Sequence, residues 1–343
     1  VSKAFLVLAA CLLPFAAVSA AEDSLEALDD AEVARALELL KTRHIRGGAL
    51  DEPALSRATL RGLLAAWKTG AEVVDAAPTA TADSPFRSET FEGGVGYVRL
   101  GSIKSEHIAQ LDAALRGFAA AKVEGVVLDL RATPESQDFK LAAQVASRFV
   151  PAGTKLWSLV PAGGGAAEEF TSAGERLFDG TVVVVSDSQT SGAAEAVAAA
   201  LRHHARALLV GSTTAGRAAE FAVVPLGEPE QLRLAVAEVK VPGLPPLYPD
   251  GLAPDIEVQQ DGDERDNILA ASLEKGAAPF VFERERARLN EAALVARTNP
   301  EIAAAGEPTV TESFDRPLQR AVDLVTAISL FQAQGADESS APE

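Results

Sequence analysis

Apolar residues recur along the chain with two periods, one suited to strands and one to helices, and their order predicts a mixed α/β protein. The unbroken β-branched run from Thr181 to Val185 predicts a buried strand. Ser186 to Ser191 make a polar turn, and the Ala-rich stretch from about Gly192 to His203 predicts a helix. Ala207 to Val210 predict a second short strand, closed by a loop with Gly211 and Gly216. Upstream, Gly94 to Leu100 reads as a strand, and Ile108, Leu111, Leu115 and Phe118 share one helix face. Gly125 to Arg131 reads as a buried strand. Strand, helix and strand in succession predict a crossover and a parallel pair. Gln137 to Phe149 predicts a further helix, Leu156 to Val160 a strand and Pro161 to Ala167 a loop; Phe221–Leu226 and Gln231–Val241 predict a hairpin.

The flanks carry helical patterns. Asp29 or Asp30 is placed to cap a first helix with Val33, Leu37 and Leu40 on one face. Asp51-Glu52-Pro53 opens a second, with Leu60, Leu63, Leu64 and Trp67 at helical spacing, and both stripes are expected to face a core. Gly70 to Pro85, rich in Ala, Thr and Pro, reads as a linker. After an acidic turn from Asp261 to Asp266 come further helices. The alternating Glu283-Arg284-Glu285-Arg286 is expected on a solvated face, and another helix carries Leu318, Val322 and Val325. The resulting division is a targeting segment (1–20), a helical N-terminal segment (24–69), a linker (70–90), a core domain (91–258), a C-terminal helical segment (259–332) and a disordered acidic tail (333–343).

Composition narrows the function. A chain of 343 residues with 48% hydrophobic residues can bury a core, which excludes global disorder. The formal net charge of −18 argues against nucleic-acid binding, which needs a basic stripe. Lys3, the apolar run Ala4 to Val18 and the small residues Val18-Ser19-Ala20 read as an export signal too short for a membrane span, so the protein is expected in the periplasm or outside the cell. Leu8-Ala9-Ala10-Cys11 also looks like a lipobox, so lipid anchoring through Cys11 is the alternative. Cys11 is the only cysteine, which leaves the rest of the chain without disulfide or thiol chemistry. No Cys, His, Asp and Glu spacing suggests a metal site, and no cofactor is expected.

The candidate chemistry lies at the junction of the Thr181 strand and the following helix. A strand–turn–helix junction sets a side chain and free N–H groups at a helix N-terminus, which suits a nucleophile or an oxyanion. Glu195, the run Arg206-Ala207-Leu208-Leu209-Val210-Gly211, Thr214 and Gly216 resemble the corresponding motifs of the C-terminal processing peptidases, or tail-specific proteases (serine peptidase family S41). Gly94-Val95-Gly96-Tyr97-Val98-Arg99-Leu100 is similar to that family's first core strand, Asp129-Leu130-Arg131 to its D-L-R, and Pro249 to Val258 to its closing motif. The resemblance covers about residues 94 to 258. It implies an α/β fold with a ββα-spiral core of the kind shared with Clp proteases and crotonases, flanked by helical segments.

The same register implies that the chemistry has been lost. Gly192 stands where the family has its nucleophilic serine, Arg217 where it has its general-base lysine and Phe221 where it has a glutamine. Glycine offers no nucleophile, and arginine, with a pKa above about 12, takes no proton at neutral pH. In the oxyanion region the family's glycines after D-L-R are replaced: the residues are Ala132, Thr133, Pro134, Glu135 and Ser136, so Glu135 sets a carboxylate where an oxyanion should develop. The PDZ domain that the family inserts between helices and core has no room in the linker.

Ser191 is the one hydroxyl that could rescue catalysis, one position before the family's nucleophile. As Ser or Thr is a preferred N-cap, Thr190 or Ser191 has an ordinary task there. Lys240 is a conceivable base by residue type alone, and Arg217 could bind a substrate carboxylate or pair with Glu135 or Glu220. His203-His204 sit at the far helix end, where they complement the dipole. Three readings follow. The first is an inactive pseudoprotease binding a polypeptide or small apolar ligand in the old cleft, a role the resemblance allows because relatives include retinoid-binding modules that cut no peptide. The others are an active serine endopeptidase using Ser191, and an assembly protein whose helical ends form a homodimer.

Overall fold

The structure is a computed structural model that describes residues 28–45, 51–67, 70–75, 83–281 and 313–339. The chain divides into two units, Val1–Trp67 and Lys68–Glu343. The targeting segment with Cys11 and the charge run at 283–286 lie outside the described residues, among which no helix is long and apolar enough to cross a membrane.

The first unit shows helices α1 (Asp30–Arg43) and α2 (Glu52–Ala66). Asp29 caps α1 in a reciprocal box with Glu32, its carboxylate accepting the Glu32 N–H at 2.8 Å. Asp51 caps α2, with Pro53 in the first turn. The expectation that both apolar stripes face a core does not hold: neither helix has a buried residue, and Leu40 and Trp67 are 47% and 58% exposed. Two short amphipathic helices have too little surface to enclose a core alone.

The second unit is built on two sheets. A six-stranded sheet runs in the order β11 (Ile256–Glu257), β8 (Leu208–Gly211), β7 (Thr181–Ser186), β4 (Gly125–Asp129), β3 (Val95–Arg99) and β2 (Arg87–Phe91). Its strands are parallel except β2, which closes the edge antiparallel to β3. The predicted parallel pair is β3 and β4, joined through α3 (Ser105–Ala120). The apolar runs are buried because both faces are covered. Val126, Leu128, Val182 and Val184 face a core shared with α3, α4 (Phe139–Ser147) and α5 (Ala193–His204). Val127, Val183 and Val185 face a second core with Leu318, Val322 and Val325 of α7 (Arg316–Ser339). Leu128 is fully buried, and truncating such a side chain to alanine costs about 2–5 kcal/mol.

A buried network clamps the C-terminal helices onto the sheet. Arg131 binds Asp129 through Nε and Nη2 at 2.9 and 2.8 Å, and Asp315 through Nη1 and Nη2, both at 2.8 Å. Asp315 also caps α7, accepting the Leu318 N–H at 3.1 Å. Burial alone would raise the Asp129 carboxyl, but the Arg131 and Arg99 charges and the Arg131 hydrogen bonds bring it down to about 2. Arg99 reaches Ser272 Oγ at 2.7 Å and the Leu269 carbonyl at 3.0 Å, which fixes α6 (Gly262–Lys275) beside the strand ends.

The second sheet contains β1 (Ala71–Asp75), β5 (Lys155–Pro161), β6 (Glu168–Thr171), β9 (Ala219–Pro225) and β10 (Glu230–Lys240), arranged β1-β10-β5-β6 with β9 also on β10. The predicted hairpin is β9–β10, antiparallel as expected. Three strands depart from expectation. β2 and β6 are short and polar, with too few apolar positions to show alternation. β1 lies inside the stretch expected as a linker, and becomes a strand only because β10 offers it an edge. At the other end α7 runs through Ser339, so residues 333–339, expected in a disordered tail, are helical.

Candidate functional site

The parallel strands β4 and β7 end on the same side of the sheet, and β7 passes through residues 187–191 into α5. Asp187 shapes the turn: its Oδ1 accepts the N–H groups of Gln189 and Thr190 at 2.9 and 3.1 Å, and the Thr190 hydroxyl accepts the Asp187 N–H at 3.1 Å. Gly192 follows at φ 60° and ψ −123°, where a side chain is strained. Neither Thr190 nor Ser191 caps α5, contrary to expectation. The Thr190 hydroxyl is engaged within the turn, and the Ser191 hydroxyl has no hydrogen bond among the described residues.

The cap is Glu195, one turn inside the helix. Its Oε2 accepts the N–H of Gly192 at 3.0 Å and of Arg217 at 2.8 Å, while Oε1 accepts the Thr214 hydroxyl at 2.5 Å and the Gly216 N–H at 2.8 Å. Burial pushes this carboxyl up to about 7, with the donors from Thr214, Gly216 and Gly192 pulling it back and the Glu135 charge adding to the rise. Glu195 thereby ties the loop after β8 to the start of α5, and that loop carries Arg217 into the site.

Arg217 is held between two carboxylates, so its guanidinium is not an open anion site while Glu72 lies against it. Its Nη2 lies 3.2 Å from Glu72 Oε1, and its Nε is 3.1 Å from Glu135 Oε2 as a charge contact without hydrogen-bond alignment. Arg233 Nη1 binds the same Glu72 oxygen at 2.7 Å and its Nη2 pairs with Glu135, which closes a ring of two arginines and two glutamates. Both guanidinium carbons face the Phe221 ring, at 5.3 Å for Arg217 and 4.0 Å for Arg233. Of the partners expected for Arg217, Glu135 is found and Glu220 is not. Glu72 and Arg233 escaped sequence reasoning, although they stand directly opposite each other on β1 and β10, where opposite charges stabilise a pair. Gln137 was missed too; its Oε1 accepts the Phe221 N–H at 2.8 Å.

Pro134, Glu135 and Ser136 fold across the start of α5. The Ser136 carbonyl accepts the Ala193 N–H at 2.9 Å, and a Cβ on Gly192 would lie 2.6 Å from that same oxygen and 3.5 Å from Glu135 Cγ. Space for a side chain at 192 and the first free N–H of the helix are both taken by the chain itself. An oxyanion needs such an N–H unoccupied.

Beside this plug lies a cleft of about 580 Å³, within the size range of small-ligand sites, lined among others by Pro85, Thr133, Pro134, Ser191, Leu269 and Leu273. The Thr133 hydroxyl is buried there without a partner among the described residues. Ser191 is 5% exposed, and among the described residues no titratable side chain bonds it. Lys240 is engaged with Glu238 at 2.6 Å, and His203 and His204 pack against each other at the opposite end of α5, roughly 18 Å away at the rise of a helix. His107 contacts the Ser102 carbonyl at 2.8 Å. Among the described residues no three His, Cys, Asp or Glu side chains converge as metal ligands.

Parallel strands feeding a turn and a helix N-terminus, with a loop from the neighbouring strand drawn across it, define an α/β protein with a strand–turn–helix junction. Residues 94–258 match the model of peptidase family S41, and this core belongs to that family. The carboxy-terminal-processing protease of Bartonella bacilliformis is 30% identical over 177 residues, covering 49% of this chain and 40% of that protein. The carboxyl-terminal-processing protease of Synechocystis sp. is 28% identical over 166 residues, covering 48% and 38%. The chain thus spans about two fifths of these relatives' length. Among solved structures, a candidate peptidase from Parabacteroides merdae shares the fold with a TM-score of 0.51 and 13% identity, over 64% of this chain and 80% of that one.

Proposed function

We propose that this chain is an exported, catalytically inactive S41 protein that binds an extended polypeptide or an apolar ligand at the former active site. Its core is then the ββα-spiral that the sequence resemblance implies. One observation carries the reading: the Ser136 carbonyl occupies both the place of a side chain at Gly192 and the Ala193 N–H. This supports the reading by arguing against a nucleophile at position 192 and an oxyanion hole at the Ala193 N–H, while ion pairs hold Arg217 where a base would stand. The adjacent cleft has the volume of a small-ligand site, a lining of mixed apolar and charged residues, and a Thr133 hydroxyl without a partner among the described residues, which suits binding without chemistry.

The test is cleavage of unfolded casein and of a peptide with an apolar C-terminus, by the chain beginning at Ala21 and by Ser191→Ala. Neither protein is expected to cut either substrate. Cleavage by the parent that Ser191→Ala abolishes would establish the shifted serine as a nucleophile and end the inactive reading. The exposed stripes of α1 and α2 favour a second reading, assembly as a homodimer, which light scattering of the same chain tests by its mass.

A further inference from the structure

β10 has different neighbours along one edge. β9 pairs with it over Gln231–Glu238 and occupies the other side. On the remaining edge β5 pairs with Ala237–Lys240, and β1 pairs with Glu230–Leu234. Without β1, the backbone groups of Glu230–Leu234 that face away from β9 would stand unpaired beside the ion-pair ring, an open template for an added strand.

β1 is lightly held for a strand in that place. Of its side chains at 71–74 only Ala71 is buried, Val73 is 43% exposed, and the Glu72 side chain is 45% exposed. Its specific anchor is Glu72. Arg217 and Arg233 against Glu135 leave one positive charge, and the Glu72 carboxylate neutralises it. β1 therefore offers β10 what a bound peptide would offer, a main-chain ladder and one carboxylate received by two guanidinium groups.

We propose that β1 is an exchangeable occupant. The edge of β10 at Glu230–Leu234 is a binding site for an extended acidic segment of a partner polypeptide, whose carboxylate replaces Glu72 between Arg217 and Arg233. This rests on the reading that the protein binds polypeptide without cutting it, and it names the ligand class. Occupancy by β1 lowers apparent affinity by the fraction of time the edge is closed, so weakening β1 raises affinity for a strand supplied from outside.

The probe is a fluorescein-labelled peptide with the sequence Gly70 to Asp75, titrated by anisotropy into the full chain and into Glu72→Gln. The variant is expected to bind at least tenfold more tightly than the parent. The same peptide with glutamine at its glutamate position should bind at least tenfold more weakly, and adding Arg233→Gln should remove binding. Equal affinities for the two proteins, or for the two peptides, would overturn the proposal. Hydrogen exchange gives a readout on the parent that does not depend on the variant's folding. The Ala235 amide, which donates to the Gly70 carbonyl at 2.8 Å, and those amides of Glu230–Leu234 that face β1 should change protection with saturating peptide, and unchanged protection overturns strand exchange. Protection gained only at residues 132–135 and 191 overturns the exchange but leaves polypeptide binding standing. Cleavage of the peptide by the parent overturns the inactive reading itself, whatever happens at β10.

Discussion

Introducing a serine and a lysine, with Gly192→Ser and Arg217→Lys together, is expected to destabilise the protein and not to create a peptidase. A Cβ at 192 would meet the Ser136 carbonyl oxygen at 2.6 Å, well inside ordinary van der Waals contact at about 3.4 Å, so the carbonyl must retreat by most of an ångström. That retreat breaks the 2.9 Å bond from the Ala193 N–H, and a buried donor left unpaired costs about 1–3 kcal/mol. Holding a non-glycine residue at φ 60° and ψ −123° costs about another 1–3 kcal/mol. The combined loss, about 2–6 kcal/mol, is a large part of the usual 5–15 kcal/mol of a folded domain. In a unit of this size it lowers Tm by roughly 5–20 °C. Scanning calorimetry of the parent, Gly192→Ala and Gly192→Ser reads the cost, and the first two isolate the Cβ from the hydroxyl. Casein cleavage is measured on the double variant alongside. A double variant that cuts casein, or a Gly192→Ala that melts within about 2 °C of the parent, refutes the steric argument.

The remaining predictions concern the buried charges. The folded-state pKa of Glu195, about 7, lies above its ordinary 4.5, so its contribution to stability is fully present below pH 4.5 and is lost as pH rises through 7. Parent Tm should fall between pH 5 and 8; in Glu195→Gln that slope should flatten while stability drops by about 2–4 kcal/mol, because an amide cannot accept all four donors. Asp129 works in the opposite window: its pKa of about 2 lies below the ordinary 3.8, so its stabilisation is complete above pH 3.8 and is lost as pH falls towards 2, by roughly 2 kcal/mol. Urea titrations between pH 2 and 5 check this. Asp315→Ala removes the α7 cap and leaves half of the Arg131 guanidinium unpaired, and should cost about 3–5 kcal/mol, read as early exchange of the α7 amides. Gly125→Ala should loosen the same helix, because a Cβ there would collide with Val325 on α7, and its Tm should fall well below that of the exposed-site control Gly163→Ala.

Much of the scaffold is legible in the order of residues alone. The run at Thr181–Val185, the stripe Ile108, Leu111, Leu115 and Phe118, and the motif around Glu195 are local patterns, and each forms the element it predicts. The residue types at Gly192 and Arg217 are equally plain, and no conformation turns glycine into a nucleophile or arginine into a base at neutral pH. Three expectations fail because they depend on remote partners: the α1 and α2 stripes, which bury nothing, the linker, whose residues 71–75 pair with β10, and the cap of α5, which comes from Glu195 and not from Thr190 or Ser191.

The chain's own order of residues determines that the parallel core forms and that positions 192 and 217 are glycine and arginine, since periodicity and side-chain identity act locally. Tertiary structure alone decides what surrounds these two positions. The Ser136 carbonyl comes from the loop after β4, Arg233 from β10 and Glu72 from a stretch that reads as a linker. Their charges and hydrogen bonds gain their worth only when sheet pairing brings them together out of water, and no local pattern encodes that meeting.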